Sequence, residues 1–497
     1  MTGFVAVALS LLLGSCSGGI DYDKYPIPDV FPENGGGSGE GSDTEEKTPY
    51  KVECRKNATS AWNTYNAYTC SRITGFTPAD DPETDEYGGW KIKAESAPDG
   101  FFRVRKINGR WWMIDPLGNL FLSKAVAVFS PGSSDRQKAA LAEKFGSNAS
   151  WAASESQYLM DNGFNSLGAW STTYISNRNN VPQKMPYTVI VNPMSTYNGT
   201  LKASGTEAEG FSKAGWEGYP YDFAFVFDSG FDTQVEKSLA TISQYANDPY
   251  CIGYFIDNEI PWKDYALERC LTKWPSTHIN HQKAQEWLDA RKGKAGCTIS
   301  DATTADKKAF IAYCLGVYLE KVTTAMKKYD PNHLFLGCRF NQWSYELVNE
   351  EIFKTAGQYM DIISINHYQK WEPDAEAMRN WEAWSGKPFF VTEFYTKGED
   401  SGLGNTTGAG WHVRTQEDRG LFYENFVIKL IESGVCVGWH WFTYQDNDPT
   451  STSSDSSNID SNKGMVTWDF QRYSPLVEHM KALNSCTYNL TKFYDQQ

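Results

Sequence analysis

From about residue 100 onward, short apolar runs alternate with longer stretches in which apolar positions recur at helical spacing. The short runs have the length and the β-branched and aromatic content of buried strands, and the longer stretches read as amphipathic helices. Residues 111–115 and 119–123 flank the turn Pro116-Leu117-Gly118-Asn119, and the second run leads into residues 124–129, the first of eight expected strands. The other seven are 164–170, Tyr187–Val191, 252–259, 334–339, 359–366, 388–393 and 435–442, with helices expected at 151–162, 305–328 and 416–433. This alternation predicts an α/β fold, a (β/α)8 TIM barrel whose chemistry sits at the C-terminal ends of its strands. A doubly wound open sheet is the competing architecture, but no GxGxxG element follows any strand. Residues 193–227, rich in Gly, Tyr and Phe, read as a loop over the cleft.

The N-terminal pattern differs. Residues 4–13 form an apolar segment too short to span a bilayer as a mature helix, so residues 1–15 read as a signal peptide. The segment ends in Leu13-Gly14-Ser15-Cys16, which resembles a bacterial lipobox and makes Cys16 the expected lipidated residue. A plain secretory signal with an incidental cysteine is the alternative. Residues 16–49 are rich in Gly, Ser, Glu and Asp, cannot bury apolar area and read as a flexible linker. Residues 50–100, with Trp62, Trp90 and two cysteines, read as an N-terminal cap, residues 101–486 as the barrel and 487–497 as a C-terminal tail. The expected location is extracytoplasmic, on a lipid anchor at a bacterial membrane, either at the cell surface or in the periplasm.

Composition narrows the chemistry. A net charge of −15 argues against nucleic acid as a partner. Eighteen Trp suit a large core, and equally the aromatic platforms on which sugar faces pack. The seven His are scattered and no CxxC or HExxH motif occurs, so neither a catalytic metal nor a cofactor is expected. Calcium at the Asp/Asn/Ser-rich loop 446–463 is weighed and set aside, because its spacing is not that of an EF-hand. Cys54 with Cys70, or Cys270 with Cys297, can pair in an oxidising compartment, whereas Cys251, Cys338 and Cys436 read as buried thiols.

Two glutamates stand out. Cys251-Ile252-Gly253-Tyr254-Phe255-Ile256 runs into Asp257-Asn258-Glu259, and Pro388-Phe389-Phe390-Val391 runs into Thr392-Glu393. Strands four and seven of one barrel would carry these carboxyls to the same rim. There they can flank a glycosidic bond, Glu259 as acid/base and Glu393 as nucleophile of a double displacement. For either glutamate alone, a solvated strand end is the alternative. Asp257 should point to the other side of its strand and is read as structural. Asn366, His367 and Tyr368 end strand six, where a Tyr or His can bond the nucleophile; core packing is the alternative. Arg339 and Asn341 near strand five are candidates for sugar hydroxyls, with a structural salt bridge the alternative for Arg339. Trp441 is the candidate floor of the subsite holding the cleaved sugar, ahead of Trp439, and Trp262 a candidate on the leaving-group side.

The chain resembles the clan of retaining barrel hydrolases that includes β-galactosidases, cellulases and β-mannanases (clan A). Within it the likeness is to glycoside hydrolase family 50, the β-agarases. The resemblance spans most of residues 100–485. It rests on Phe101-Phe102-Arg103-Val104, Gly109-Arg110-Trp111-Trp112, Asp115-Pro116-Leu117-Gly118 and Gly163-Phe164-Asn165-Ser166-Leu167-Gly168-Ala169-Trp170-Ser171. It continues through Gly253-Tyr254-Phe255-Ile256-Asp257-Asn258-Glu259, Glu393-Phe394 and His440-Trp441-Phe442-Thr443-Tyr444-Gln445-Asp446. The resemblance implies that Asn258 bonds the sugar 2-hydroxyl and that the substrate is a β-linked galactan or its oligosaccharides. Tyr395-Thr396-Lys397-Gly398 departs from the family's more usual His-Phe-Gly after the nucleophile. A clan relative acting on another β-glycan is one alternative, a non-catalytic surface glycan-binding lipoprotein the other. Oligomeric state is not legible.

Overall fold

The computed structural model describes residues 47–94, 98–205, 211–212, 218–341, 345–368, 370–452 and 454–497. The expected signal peptide, Cys16 and the linker as far as residue 46 lie outside the described residues. Among the described residues no helix is long and apolar enough to cross a membrane.

The centre of the fold is one sheet of nine parallel strands: β1 (Ser123–Ala127), β2 (Ser166–Leu167), β3 (Tyr187–Val191), β4 (Cys251–Ile256), β5 (Leu334–Phe335), β6 (Phe340–Asn341), β7 (Ile363–Asn366), β8 (Phe389–Glu393) and β9 (Cys436–Phe442). Their order is β5-β4-β3-β2-β1-β9-β8-β7-β6. The expectation of an eight-stranded TIM barrel is therefore corrected. The stretch 334–339 read as a fifth strand is strand only at Leu334–Phe335, and Phe340–Asn341 just beyond it is a separate strand; these two form the edges of the sheet. The cause is local backbone geometry. Gly337 has φ +90 and Arg339 φ 53, left-handed values that no strand residue adopts. Gly337 has little freedom to be anything else, since a Cβ there would lie 2.7 Å from Ser364 Oγ.

All nine strands run the same way, so their C-terminal ends share one side, where open α/β sheets carry their ligands. Helices between the strands cover the sheet. Thr304–Tyr329 starts on a capping box of Thr303 and Asp306, and Gln416–Glu432 on one of Thr415 and Asp418. Part of the segment expected to be a loop over the cleft is instead the helix Pro193–Ser204; residues 206–210 and 213–217 lie outside the described residues.

The described part of residues 50–100 contributes strands to two further sheets. Tyr50–Arg55 pairs with Asn63–Ala67 and with Trp411–Val413, which in turn pairs with Thr396–Gly398. Trp90–Lys93 joins Asn119–Phe121, Arg110–Ile114 and Arg103–Ile107 in an antiparallel sheet. The C-terminal segment is the helix Thr487–Asp495, whose Tyr488 ring stacks on Trp90 at 5.6 Å.

Candidate active site

The strand ends deliver a connected set of polar side chains into an apolar interior. β4 stops at Ile256, and Asp257 and Glu259 follow with φ 61 and 51. Such values are costly for residues with a Cβ and persist only where surrounding bonds impose them. Here the Asp257 N–H donates to Val191 O at 2.7 Å, and the Glu259 N–H to Arg339 O at 3.2 Å. The Asp257 carboxylate turns away from the other polar groups. It accepts from the N–H groups of Met194 and Ser195, both at 3.0 Å, and from Tyr318 Oη at 2.8 Å. It thereby anchors the start of the helix Pro193–Ser204, where a negative charge complements the helix dipole.

Glu393 is the last residue of β8 and is fully buried. Its Oε1 pairs with the Arg339 guanidinium, and its Oε2 accepts from Tyr368 Oη at 2.6 Å. Arg339 also donates from Nε to Asn258 Oδ1 at 2.7 Å, and its guanidinium lies 4.5 Å from the centre of the Trp170 ring. Asn366, at the end of β7, donates from Nδ2 to Glu259 Oε1 at 2.6 Å and to Asn258 Oδ1 at 3.2 Å. Its own Oδ1 accepts from Thr392 Oγ at 2.8 Å. Glu259, Asn258, Arg339, Asn366, Tyr368, Thr392 and Glu393 thus form one hydrogen-bonded group with every member buried. In such surroundings each bond is electrostatically stronger than in water, and losing a partner is correspondingly costly.

The other sequence candidates have surroundings of their own. His367 packs between Phe426, at 5.0 Å between ring centres, and Trp381 at 6.2 Å; burial pushes its imidazole down to about 3, so it stays neutral. Trp441 is fully buried against Phe394 and Tyr423 and donates from Nε1 to Lys463 O at 3.0 Å. Trp439 donates to Tyr423 Oη. Trp262 packs on Tyr318 at 5.5 Å. Asn341 pairs in register with Asn366 at the sheet edge and is half-buried.

The sequence gives no site role to Trp170, Thr392 or Ser364, although the first two stand in the motifs quoted above. Ser364 Oγ accepts from the Arg339 N–H at 2.8 Å. Trp170 was assigned to strand two, but that strand ends at Leu167 and Trp170 has φ 62. Its ring, over which the Arg339 guanidinium lies, also lines a cavity of about 70 Å³ together with Phe442, Gln445, Asp446, Asn447 and Lys463 among others. The loop weighed for calcium borders this cavity. Asp446 is occupied by protein donors: the N–H groups of Lys463 and Gly464, Asn462 Nδ2 and Tyr473 Oη. No cluster of three or more His, Cys, Asp or Glu suited to a metal occurs among the described residues. The two cysteine pairings weighed from sequence are not formed, and Cys70 Sγ instead lies 3.2 Å from Cys486 Sγ.

Fold and sequence together resemble the GH50 group of glycoside hydrolases. The chain is 24% identical to β-agarase B of Vibrio sp. (strain JT0107), over 82% of this chain and 50% of that one. β-Agarase A of the same strain is 23% identical, over 84% and 48%. The chain therefore spans about half the length of the curated relatives it matches. The crystal structure of BpGH50 superposes with a TM-score of 0.77 at 26% identity, covering 93% of this chain and 99% of that one. The agarase AgWH50C shares the fold, with a TM-score of 0.67 at 21% identity over 83% and 67%. No family model matches the chain.

Proposed function

We propose that the protein is a glycoside hydrolase that cleaves a β-linked galactan of the agarose or porphyran type, or oligosaccharides from it, with retention of anomeric configuration. The observation that carries this reading is the single buried network joining Glu259 and Glu393 through Asn258, Arg339 and Asn366. A glycan-binding protein needs no pair of carboxylates held in this way. The likeness to β-agarases supports the galactan, and a β-galactoside or β-mannoside remains the nearest other substrate class.

In the first step Glu393 attacks the anomeric carbon as the bond to the leaving oxygen breaks, and Glu259 gives that oxygen its proton. The result is a glycosyl ester on Glu393 and a free alcohol. In the second step Glu259, now a carboxylate, takes a proton from water as that water displaces Glu393. Arg339 and Tyr368 hold the Glu393 oxygens in place and complement their charge. Asn258, whose Oδ1 is held by Arg339, has its amide oriented for a hydroxyl beside the anomeric centre. A lipid on Cys16 would keep the enzyme at a membrane face; Cys16→Ser should move it from the membrane to the soluble fraction.

The test is incubation of the wild type and Glu393→Gln with agarose, porphyran, carrageenan, galactomannan and their oligosaccharides, with products read by mass. Cleavage of one galactan by the wild type alone supports the reading. Binding with no cleavage of any of them would return the surface glycan binder to first place.

A further inference from the structure

Glu259 must present its proton from a defined oxygen, and the surroundings of Asn366 supply a device for this. Asn366 is fully buried, and each end of its amide has a partner. One face of the group, Nδ2, gives its two hydrogens to Glu259 Oε1 at 2.6 Å and Asn258 Oδ1 at 3.2 Å. The other, Oδ1, accepts from Thr392 Oγ at 2.8 Å. An amide can be turned end for end, and only its partners decide which end faces which way. Were Asn366 reversed, its oxygen would face two acceptor oxygens, Glu259 Oε1 and Asn258 Oδ1, with Nδ2 facing a hydroxyl. Asn258 Oδ1, itself held by Arg339 Nε, thus sets the orientation seen, and the Thr392 hydroxyl anchors the far end of the amide by donating to Oδ1.

We infer that Thr392 is a positioning residue for the acid/base: its hydroxyl fixes the Asn366 amide, which assigns Glu259 Oε1 as hydrogen-bond acceptor and Oε2 as the oxygen that carries and delivers the proton. This rests on the reading of Glu259 as the general acid. Thr392 immediately precedes Glu393 on β8, so the strand that places the nucleophile also orients the acid, and the two are kept in register by one backbone. Without the hydroxyl, Asn366 Oδ1 loses its buried partner and the amide is held at one end only. Its grip on Glu259 Oε1 then loosens, and the proton is no longer confined to the oxygen that faces the leaving group.

The leaving group separates this role from a structural one. The wild type is first matched to an agaro-oligosaccharide that it cleaves, and then to the dinitrophenyl glycoside of the same sugar, whose departure needs no proton. Thr392→Val, close to the same shape, is expected to lower kcat/KM on the oligosaccharide by roughly ten- to a hundredfold, part of what general acid catalysis provides. On the dinitrophenyl glycoside it should stay within about threefold of the wild type, and Thr392→Ser should restore both. Thr392→Ala serves as the second hydroxyl-free variant if the valine does not fold. Equal losses on both substrates, or an oligosaccharide rate unchanged in both hydroxyl-free variants, would overturn the inference. A wild type that cleaves neither substrate while binding them would instead overturn the reading of Glu259 on which it rests.

Discussion

Each oxygen of the Glu393 carboxylate meets a donor, Arg339 on one side and Tyr368 on the other, with the guanidinium and carboxylate both wholly inaccessible to water. Removing one member of a buried pair strands the other's charge, a loss of about 3–5 kcal/mol. Arg339→Met should therefore destabilise the fold by that order in urea unfolding, as well as lowering activity. Glu393→Met, which deletes the opposite charge, should do the same, and the double variant should cost less than the sum. Glu259→Gln should fold normally and lose roughly 10²–10⁴-fold in rate, the range of general acid–base catalysis. At this scale the sequence was informative where a residue type is itself the signal. The glutamates, Asn258 and Tyr368 were found from motif and strand position, and the structure brings them together. Arg339 was weighed between a sugar ligand and a salt bridge, and it forms the salt bridge. Thr392 could not be found, because a threonine in a strand before a charged residue has the ordinary look of β-sheet sequence. Its role depends on which amide lies across from it, on a different strand.

The elements were legible in kind and less so in their ends. Hydrophobic periodicity placed the helix Thr304–Tyr329 to within a residue and found every strand of the central sheet except Phe340–Asn341, which lies just past the run 334–339. It ran strands two, four and five too far, because Trp170, Asp257, Glu259 and Arg339 leave the strand through left-handed backbone that no side-chain pattern announces. The same elements make two predictions. Gly253 sits on β4 where a Cβ would lie 2.2 Å from Leu334 O of β5. Gly253→Ala must push the two strands apart, and should cost about 1–3 kcal/mol in urea unfolding, as overpacking does. The second concerns the clasp between Gln416–Glu432 and Ser474–Asn484. Burial would lower the affinity of His479 for a proton, but Glu424 at 2.5 Å and Glu417 at 2.9 Å outweigh it and raise its pKa from 6.5 to about 9. A folded-state pKa above the unfolded one means that the native state binds the extra proton between those values. The contribution is complete below pH 6.5 and is lost as pH rises through 9. Unfolding free energy should thus fall over that window by about 2 kcal/mol, a figure reduced from the full shift for partial exposure. His479→Gln should flatten the slope there; an unchanged slope would remove His479 as its source.

On the scale of the whole molecule, sequence conveyed the α/β class and the shared rim, but not closure or the way that distant segments meet. The central sheet has edges at β5 and β6 because one run of chain bends at Gly337 and Arg339, which the count of eight apolar runs could not register. Likewise nothing in residues 50–67 told that they would pair with Trp411–Val413, since such partners are set by three-dimensional packing rather than by local pattern. What the whole arrangement does place together is two glutamates and the buried residues that hold them, at the C-terminal side of a parallel sheet resembling that of GH50 proteins. The most direct measurement is proton NMR of an agaro-oligosaccharide digest in its first minutes, run with the wild type, Glu259→Gln and Glu393→Gln. The account predicts that the β-anomer of the new reducing end appears first with the wild type, and that both variants release little or none. An α-anomer formed first, or a Glu393→Gln enzyme as fast as the wild type, would contradict it.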